Sequence, residues 1–296
     1  MNRSITLPLV LLTLLLLSAR QAAFAAQQDA SGPAIPLDYL PALKGDYFRH
    51  ESKNVGRPFH IYVAFPESYS AQPLARYPTV YLLDGDSTFP ILATYHLFLN
   101  YDEGVPQAIF VGIAYGSFDP EINKRGYDFS PAAADATKEQ GGARAFHAFL
   151  KQELIPEIDR RYRTDPARRV LFGQSRGGYM VLYSAFTDPA LFWGRIASNA
   201  GFDPGRELFF SKPAATSRND LGLVVTSGSR DKPNLRKSAL EWFAAWEGRT
   251  DTPWQLKTIT LDGGTHAADI TNSYRAGMLW LFKRDARELQ TPNAHR

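Results

Sequence analysis

The 296-residue chain has no cysteine. That excludes a thiol nucleophile, disulfide bonds and the cysteine-linked lipid anchor of bacterial lipoproteins. Long hydrophobic runs are also missing: the one extended apolar stretch, Leu7 to Leu17, falls short of the about 20 residues a helix needs to cross a bilayer. A large excess of charge of either sign is missing too. The formal net charge of +3 drops to +1 if residues 1–25 are removed, because Arg3 and Arg20 leave and no acid does. With no basic block and no basic stripe interleaved with aromatics, no nucleic-acid partner is expected. There is no internal repeat and no low-complexity linker, and about 270 residues remain for one large domain with an ample core.

Residues 1–25 combine Arg3, the apolar run and the closing Ala23-Phe24-Ala25, the pattern of a cleaved secretory signal. An uncleaved anchor is the alternative. The expected organisation is a signal at 1–25, a loose leader at 26–46, one domain at 47–290 and a tail at 291–296, exported to a periplasm or beyond. No membrane span is expected after cleavage.

Nearly continuous apolar runs alternate with helical patterns. Runs such as Thr79–Leu83, Ala108–Ile113 and Leu221–Thr226 read as strands covered on both faces, and His60–Phe65, Arg195–Ser198 and Trp254–Leu261 as further strands. Phe146, Phe149, Leu150, Leu154, Ile158 and Tyr162 recur at spacings of three and four, predicting a helix over 143–162 that Pro156 kinks. Helices are also expected at 90–100 and 237–246 and in the closing stretch with Tyr274, Met278, Leu281 and Phe282, and an irregular segment from 200 to 217. This order predicts an α/β fold, a mostly parallel sheet with helices on both faces.

Val170-Leu171-Phe172-Gly173-Gln174-Ser175-Arg176-Gly177-Gly178 is a strand running into Gly-x-Ser-x-Gly and then a helical stretch. A bare Gly-x-Ser-x-Gly occurs by chance; strand before and helix after make it a nucleophile turn, with the serine exposed at a helix N-terminus that favours negative charge. A serine hydroxyl needs a base, usually an imidazole held by a carboxylate. Of six histidines, His266 alone lies in a loop after a strand and downstream of Ser175; His50 and His60 lie before or in the first strands, His96 and His147 on predicted helices and His295 in the tail. Asp231, just past the strand ending at Thr226, is the candidate acid. Asp262 and Asp269 are alternatives nearer the histidine in sequence. A Ser-His pair without a third member stays open, since Arg230 is placed to hold Asp231 in an ion pair. Oxyanion donors are expected from the Arg176 N–H and from Asp86 or its neighbour Gly85. No metal and no cofactor is needed.

Asn54-x-Gly56-Arg57, Tyr77-Pro78-x-Val80-Tyr81-Leu82-Leu83-Asp84-Gly85, Arg125-x-x-Asp128-x-x-Pro131, Phe172-Gly173-Gln174-Ser175-x-Gly177-Gly178 and Gly264-Thr265-His266 together resemble the "Putative esterase" family of α/β-hydrolases. That family includes esterase D, ferric-siderophore esterases, feruloyl esterases and mycolyltransferases of the antigen 85 type. The resemblance spans about residues 47–283 and is closest to the siderophore branch. It implies an α/β-hydrolase fold, Ser175 as nucleophile, His266 as base, Asp231 as acid, and a small-molecule ester, siderophore or other aromatic, as substrate. Two positions depart from the family: Arg176 stands where Leu, Met or Phe is common, and Ser198-Asn199-Ala200-Gly201-Phe202 where Ser-Pro-Ser-aromatic is frequent. Arg125 and Phe202 are candidate substrate-binding residues, with an internal ion pair in the Arg125/Asp128 segment as the alternative. Arg176 has two readings, a cationic wall or a partner for a nearby acid. Acyl transfer through the same residues, and a binding protein without turnover, are the rival functions.

Overall fold

The computed structural model describes residues 43–290. The signal, most of the leader, the tail and His295 lie outside them. Eight strands form one sheet: β1 (Gly45–Ser52), β2 (Arg57–Ala64), β3 (Tyr77–Leu82), β4 (Ile109–Ala114), β5 (Thr164–Gln174), β6 (Gly194–Ser198), β7 (Gly222–Gly228) and β8 (Gln255–Leu261). They lie in the order β1-β2-β4-β3-β5-β6-β7-β8. The β1–β2 and β2–β4 pairs are antiparallel and the rest parallel. The fold is the expected α/β-hydrolase arrangement.

Helices α1 (Gly85–Glu103) and α8 (Ile270–Gln290) cover one face, burying Phe89, Leu92 and Leu99 with Tyr274, Met278 and Leu281. On the other face lie α3 (Ala143–Phe149), α4 (Ile155–Arg161), α5 (Arg176–Thr187) and α7 (Pro233–Trp246), which bring Phe146, Phe149, Ile158, Met180, Trp242 and Trp246 to a second cluster. Each such large apolar side chain withdrawn from water contributes about 1.5–3 kcal/mol. With both faces covered, β4 and β7 are buried at every position, hence their unbroken apolar runs.

The structure corrects four local expectations. β1 was not anticipated and begins inside the stretch read as leader. Its Asp46, Arg49 and Glu51 suit a half-exposed edge strand and hide the pairing of Phe48 with Ile61. The 143–162 helix is interrupted by a π-helical turn at Leu150–Leu154, just before Pro156, whose missing N–H cannot continue an α ladder. α1 starts at Gly85 rather than near Pro90: Asp84 adopts φ 56°, and Gly85 lies so near the backbone of Gly112 and Ile113 that a Cβ would sit 2.7 Å from the Ile113 nitrogen. The stretch read as irregular contains a one-turn helix, α6 (Arg206–Phe210), whose Phe209 packs beneath Tyr179 and Phe186.

Candidate active site

β5 delivers Ser175 into a turn that only this sequence pattern permits. Ser175 has φ 59° and ψ −114°, a conformation that costs a non-glycine residue about 1–3 kcal/mol. Glycines surround it of necessity: a Cβ on Gly173 would run into the backbone of Gly177 and Gly178, and one on Gly178 would lie 2.9 Å from the Ser198 carbonyl oxygen. The chain then enters α5, so the Arg176 N–H heads a helix and has no intrahelical acceptor. Asp86 stands likewise in the first turn of α1, with its carboxylate accepting from the N–H groups of Tyr115 (2.8 Å) and Gly116 (2.8 Å).

His266 and Asp231 come from the loops after β8 and β7. His266 Nε2 lies 2.9 Å from Ser175 Oγ, and its Nδ1 lies 2.8 Å from Asp231 Oδ1. The Asp231 side chain is 1% exposed and that of His266 20%. A carboxylate can only accept, so Nδ1 carries the proton toward Asp231 and the Nε2 lone pair faces the serine hydroxyl. The same Asp231 oxygen accepts the Lys232 N–H at 2.6 Å. The alternative acids point elsewhere: Asp269 Oδ1 accepts from Asn272 Nδ2 and Asp262 faces Ser229. Arg230 is exposed, and among the described residues it forms no ion pair with Asp231.

The remaining candidates separate. Arg125, in the short α2 (Arg125–Asp128), forks onto Asp84 through Nε (2.6 Å) and an Nη (2.8 Å), and the latter also reaches the Gln174 carbonyl at 3.4 Å. Burial works against its charge, yet hydrogen bonds and attraction from Asp84 outweigh that and hold the guanidinium above its usual range. Asp128 is not its partner: it pairs with Arg57 and accepts the Tyr115 hydroxyl at 2.9 Å. Arg176, half-buried, donates to Ser130 Oγ at 2.8 Å. Phe202 is a correction. It is fully buried against Phe209 and Trp242, because the chain after β6 turns inward to fill the apolar space under α7. A groove of about 820 Å³ opens beside Arg125, walled by Phe118, Ile122 and Tyr127 with Arg57 and Lys138.

Comparison with known proteins decides the family. The family model described as "Putative esterase" matches residues 52–282. The chain belongs to this family. The esterase is 30% identical over 203 residues to the ferri-bacillibactin esterase BesA of Bacillus subtilis, covering 64% of this chain and 68% of that one. It is 29% identical over 232 residues to the apo-salmochelin esterase of Escherichia coli, covering 72% and 71%. Among solved structures, an IroE-like serine hydrolase from Shewanella oneidensis superposes with a TM-score of 0.70 at 23% identity, over 81% of this chain and 80% of that one. The BES protein from Bacillus cereus gives 0.68 at 24%, over 80% and 94%. The esterase thus shares their α/β-hydrolase fold, and it is an ester-hydrolysing enzyme.

Three residues of the esterase's site escaped sequence reasoning. Asn199, at φ 43°, donates from Nδ2 to the carbonyls of His266 (3.1 Å) and Thr265 (3.3 Å), while its Oδ1 accepts the Gly228 N–H at 2.7 Å. Gln174 Nε2 donates to the same His266 carbonyl. Asp84 anchors Arg125. A polar residue at or just past the end of an apolar strand, as Gln174 is for β5 and Asn199 for β6, was the available signal; their partners in the His266 loop lie 66 to 92 positions away.

Proposed function

We propose that this enzyme is a serine esterase working through an acyl-enzyme on Ser175. The observation that carries the reading is the unbroken hydrogen-bonded line from Ser175 Oγ through His266 to buried Asp231, at a strained strand-to-helix turn. His266 Nε2 takes the hydroxyl proton as Oγ attacks the ester carbonyl. Asp231 holds the ring in the required tautomer and stabilises the imidazolium that results. The oxyanion accepts from the N–H groups of Arg176 and Asp86. As the C–O bond breaks, the imidazolium returns its proton to the leaving alcohol; water then repeats the sequence on the acyl-enzyme and frees the acid.

The named relatives are siderophore esterases, and with an aromatic-walled groove beside the site they support a siderophore or other aromatic ester as substrate. Residues 1–25 support export to a periplasm or beyond. The test is hydrolysis of p-nitrophenyl esters from acetate to octanoate by the wild type and Ser175→Ala. Turnover abolished by the substitution is the expected result; turnover that survives it overturns the reading.

A further inference from the structure

Two arginines adjoin the nucleophile turn, Arg125 at the Gln174 carbonyl and Arg176 next to Ser175, and among the described residues only Arg125 has a counter-charge. Arg125 is held in a two-pronged pair by Asp84. Arg176 follows Ser175 directly; its partner among the described residues is the neutral hydroxyl of Ser130, itself committed as donor to the Gly126 carbonyl at 2.8 Å. Among the described residues no carboxylate pairs with Arg176. Burial and the nearby charge of Arg125 both disfavour its protonated form and push its pKa below the usual arginine value. An arginine nonetheless stays charged in a protein, so the free site carries a half-buried, uncompensated cation one residue from the reacting hydroxyl. Desolvating a charge without a partner is unfavourable. An anionic oxygen group on the bound molecule would relieve it.

We propose that Arg176 is the specificity determinant for esters carrying an anionic oxygen group, a carboxylate or a similar acid, near the scissile bond. This rests on the serine esterase reading and names the substrate charge class of that site. One Nη donates to Ser130, and the donors that have no partner among the described residues remain for the fork contact that arginine makes with paired oxygens. Arg125 offers no bare charge for this part, because Asp84 already pairs with it through Nε and one Nη.

The test compares matched charged and neutral esters on the wild type. One series varies the acyl side: mono-p-nitrophenyl adipate, pimelate and suberate against p-nitrophenyl hexanoate, heptanoate and octanoate. The other varies the alcohol side: 3-acetoxybenzoate against its methyl ester. The expected result is a preference of about tenfold or more in kcat/KM for the charged member of one series, carried mainly by KM, as a charge-assisted contact at a half-buried site gives. That preference shrinks between 50 and 500 mM salt, concentrations spanning strong to weak screening. Arg176→Gln brings the charged-to-neutral ratio to within about twofold of one, and Arg176→Lys restores part of it, since a point charge lacks the fork. Equal handling of charged and neutral esters by the wild type overturns the proposal even if the variants do not fold, and so does a ratio that Arg176→Gln leaves unchanged. Turnover of neutral esters alone defeats this inference and leaves the esterase reading standing. No turnover of either class, with no phosphonate labelling of Ser175, defeats both.

Discussion

The floor of the site and its rim are built on different terms. Where β5, β6 and β7 end, Gln174, Ser198, Asn199, Thr226 and Ser273 are all buried and bonded to one another or to the His266 loop. Between Tyr115 and Gly142 the only helix is the four-residue α2, and Phe118, Ile122 and Tyr127 are 75%, 55% and 40% exposed. A proton relay needs its atoms fixed to within a fraction of an ångström, and buried, fully paired polar groups supply that. A surface that meets a large ligand needs area and accessible apolar groups instead. In the proposed mechanism the chemistry therefore falls to the floor, with Arg176 reading charge beside it, and contact with the apolar body of a large ligand falls to the rim.

Substitutions should reproduce this division. The largest effect is expected at the relay itself: Ser175→Ala or His266→Ala lowers kcat about 10⁴-fold or more, while thermal melting, followed by circular dichroism, stays near wild type. Asp231→Asn turns the imidazole toward the wrong tautomer, and steady-state kinetics should show a loss of about 10³–10⁴-fold; a loss under tenfold would leave a Ser-His pair as the working unit. Asn199→Ala frees the loop of His266 and should cost up to about 100-fold in kcat with little change in KM, the signature of a positioning residue. If the same loss appeared in KM, the floor would be contacting substrate and the comparison would fail.

The core between α1 and α8 should answer to pH through His96. His96 is buried as the neutral ring, its Nε2 donating to the Pro106 carbonyl (2.8 Å) and its Nδ1 accepting from the Tyr274 hydroxyl (2.8 Å). Burial depresses its pKa from 6.5 to about 4, against the opposing pull of the Pro106 bond. The unfolded chain thus takes up a proton that the folded one refuses. Stability is fully present above pH 6.5 and declines as pH falls toward 4, by about 3 kcal/mol at most. Urea midpoints measured across that window should fall for the wild type and fall less steeply for His96→Gln. The smallest effect is expected at the rim: Phe118→Ala changes KM by a few-fold and folding stability by about 0.5 kcal/mol or less, read from kinetics and urea melts on the same preparation.

What the amino-acid order discloses is what local physics controls. Buried parallel strands announce themselves by unbroken apolar runs, and the Ser175 turn by the glycines its close contacts require. His266 and Asp231 were reachable because both follow strand ends on the same edge of the sheet. The pairings around them were not, since nothing local tells Asn199 to reach the His266 loop, or Asp84, under the nucleophile turn, to choose Arg125. Phe202 went astray for a related reason: an aromatic just past a strand end suits a pocket wall and a core equally, and only the packing of α6 and α7 sends it inward. β1 was missed because an edge strand exposed on one side carries charges that mask its pairing.

The proposed chemistry requires Ser175 to be a nucleophile activated by His266. Intact-mass analysis after treatment with diisopropyl fluorophosphate, on wild type, Ser175→Ala and His266→Ala, reads this directly. One adduct per chain on Ser175 in the wild type, none in Ser175→Ala and much slower labelling in His266→Ala is the predicted result. A wild type that takes up no adduct, or a Ser175→Ala protein that labels and hydrolyses esters as fast as the wild type, would contradict it.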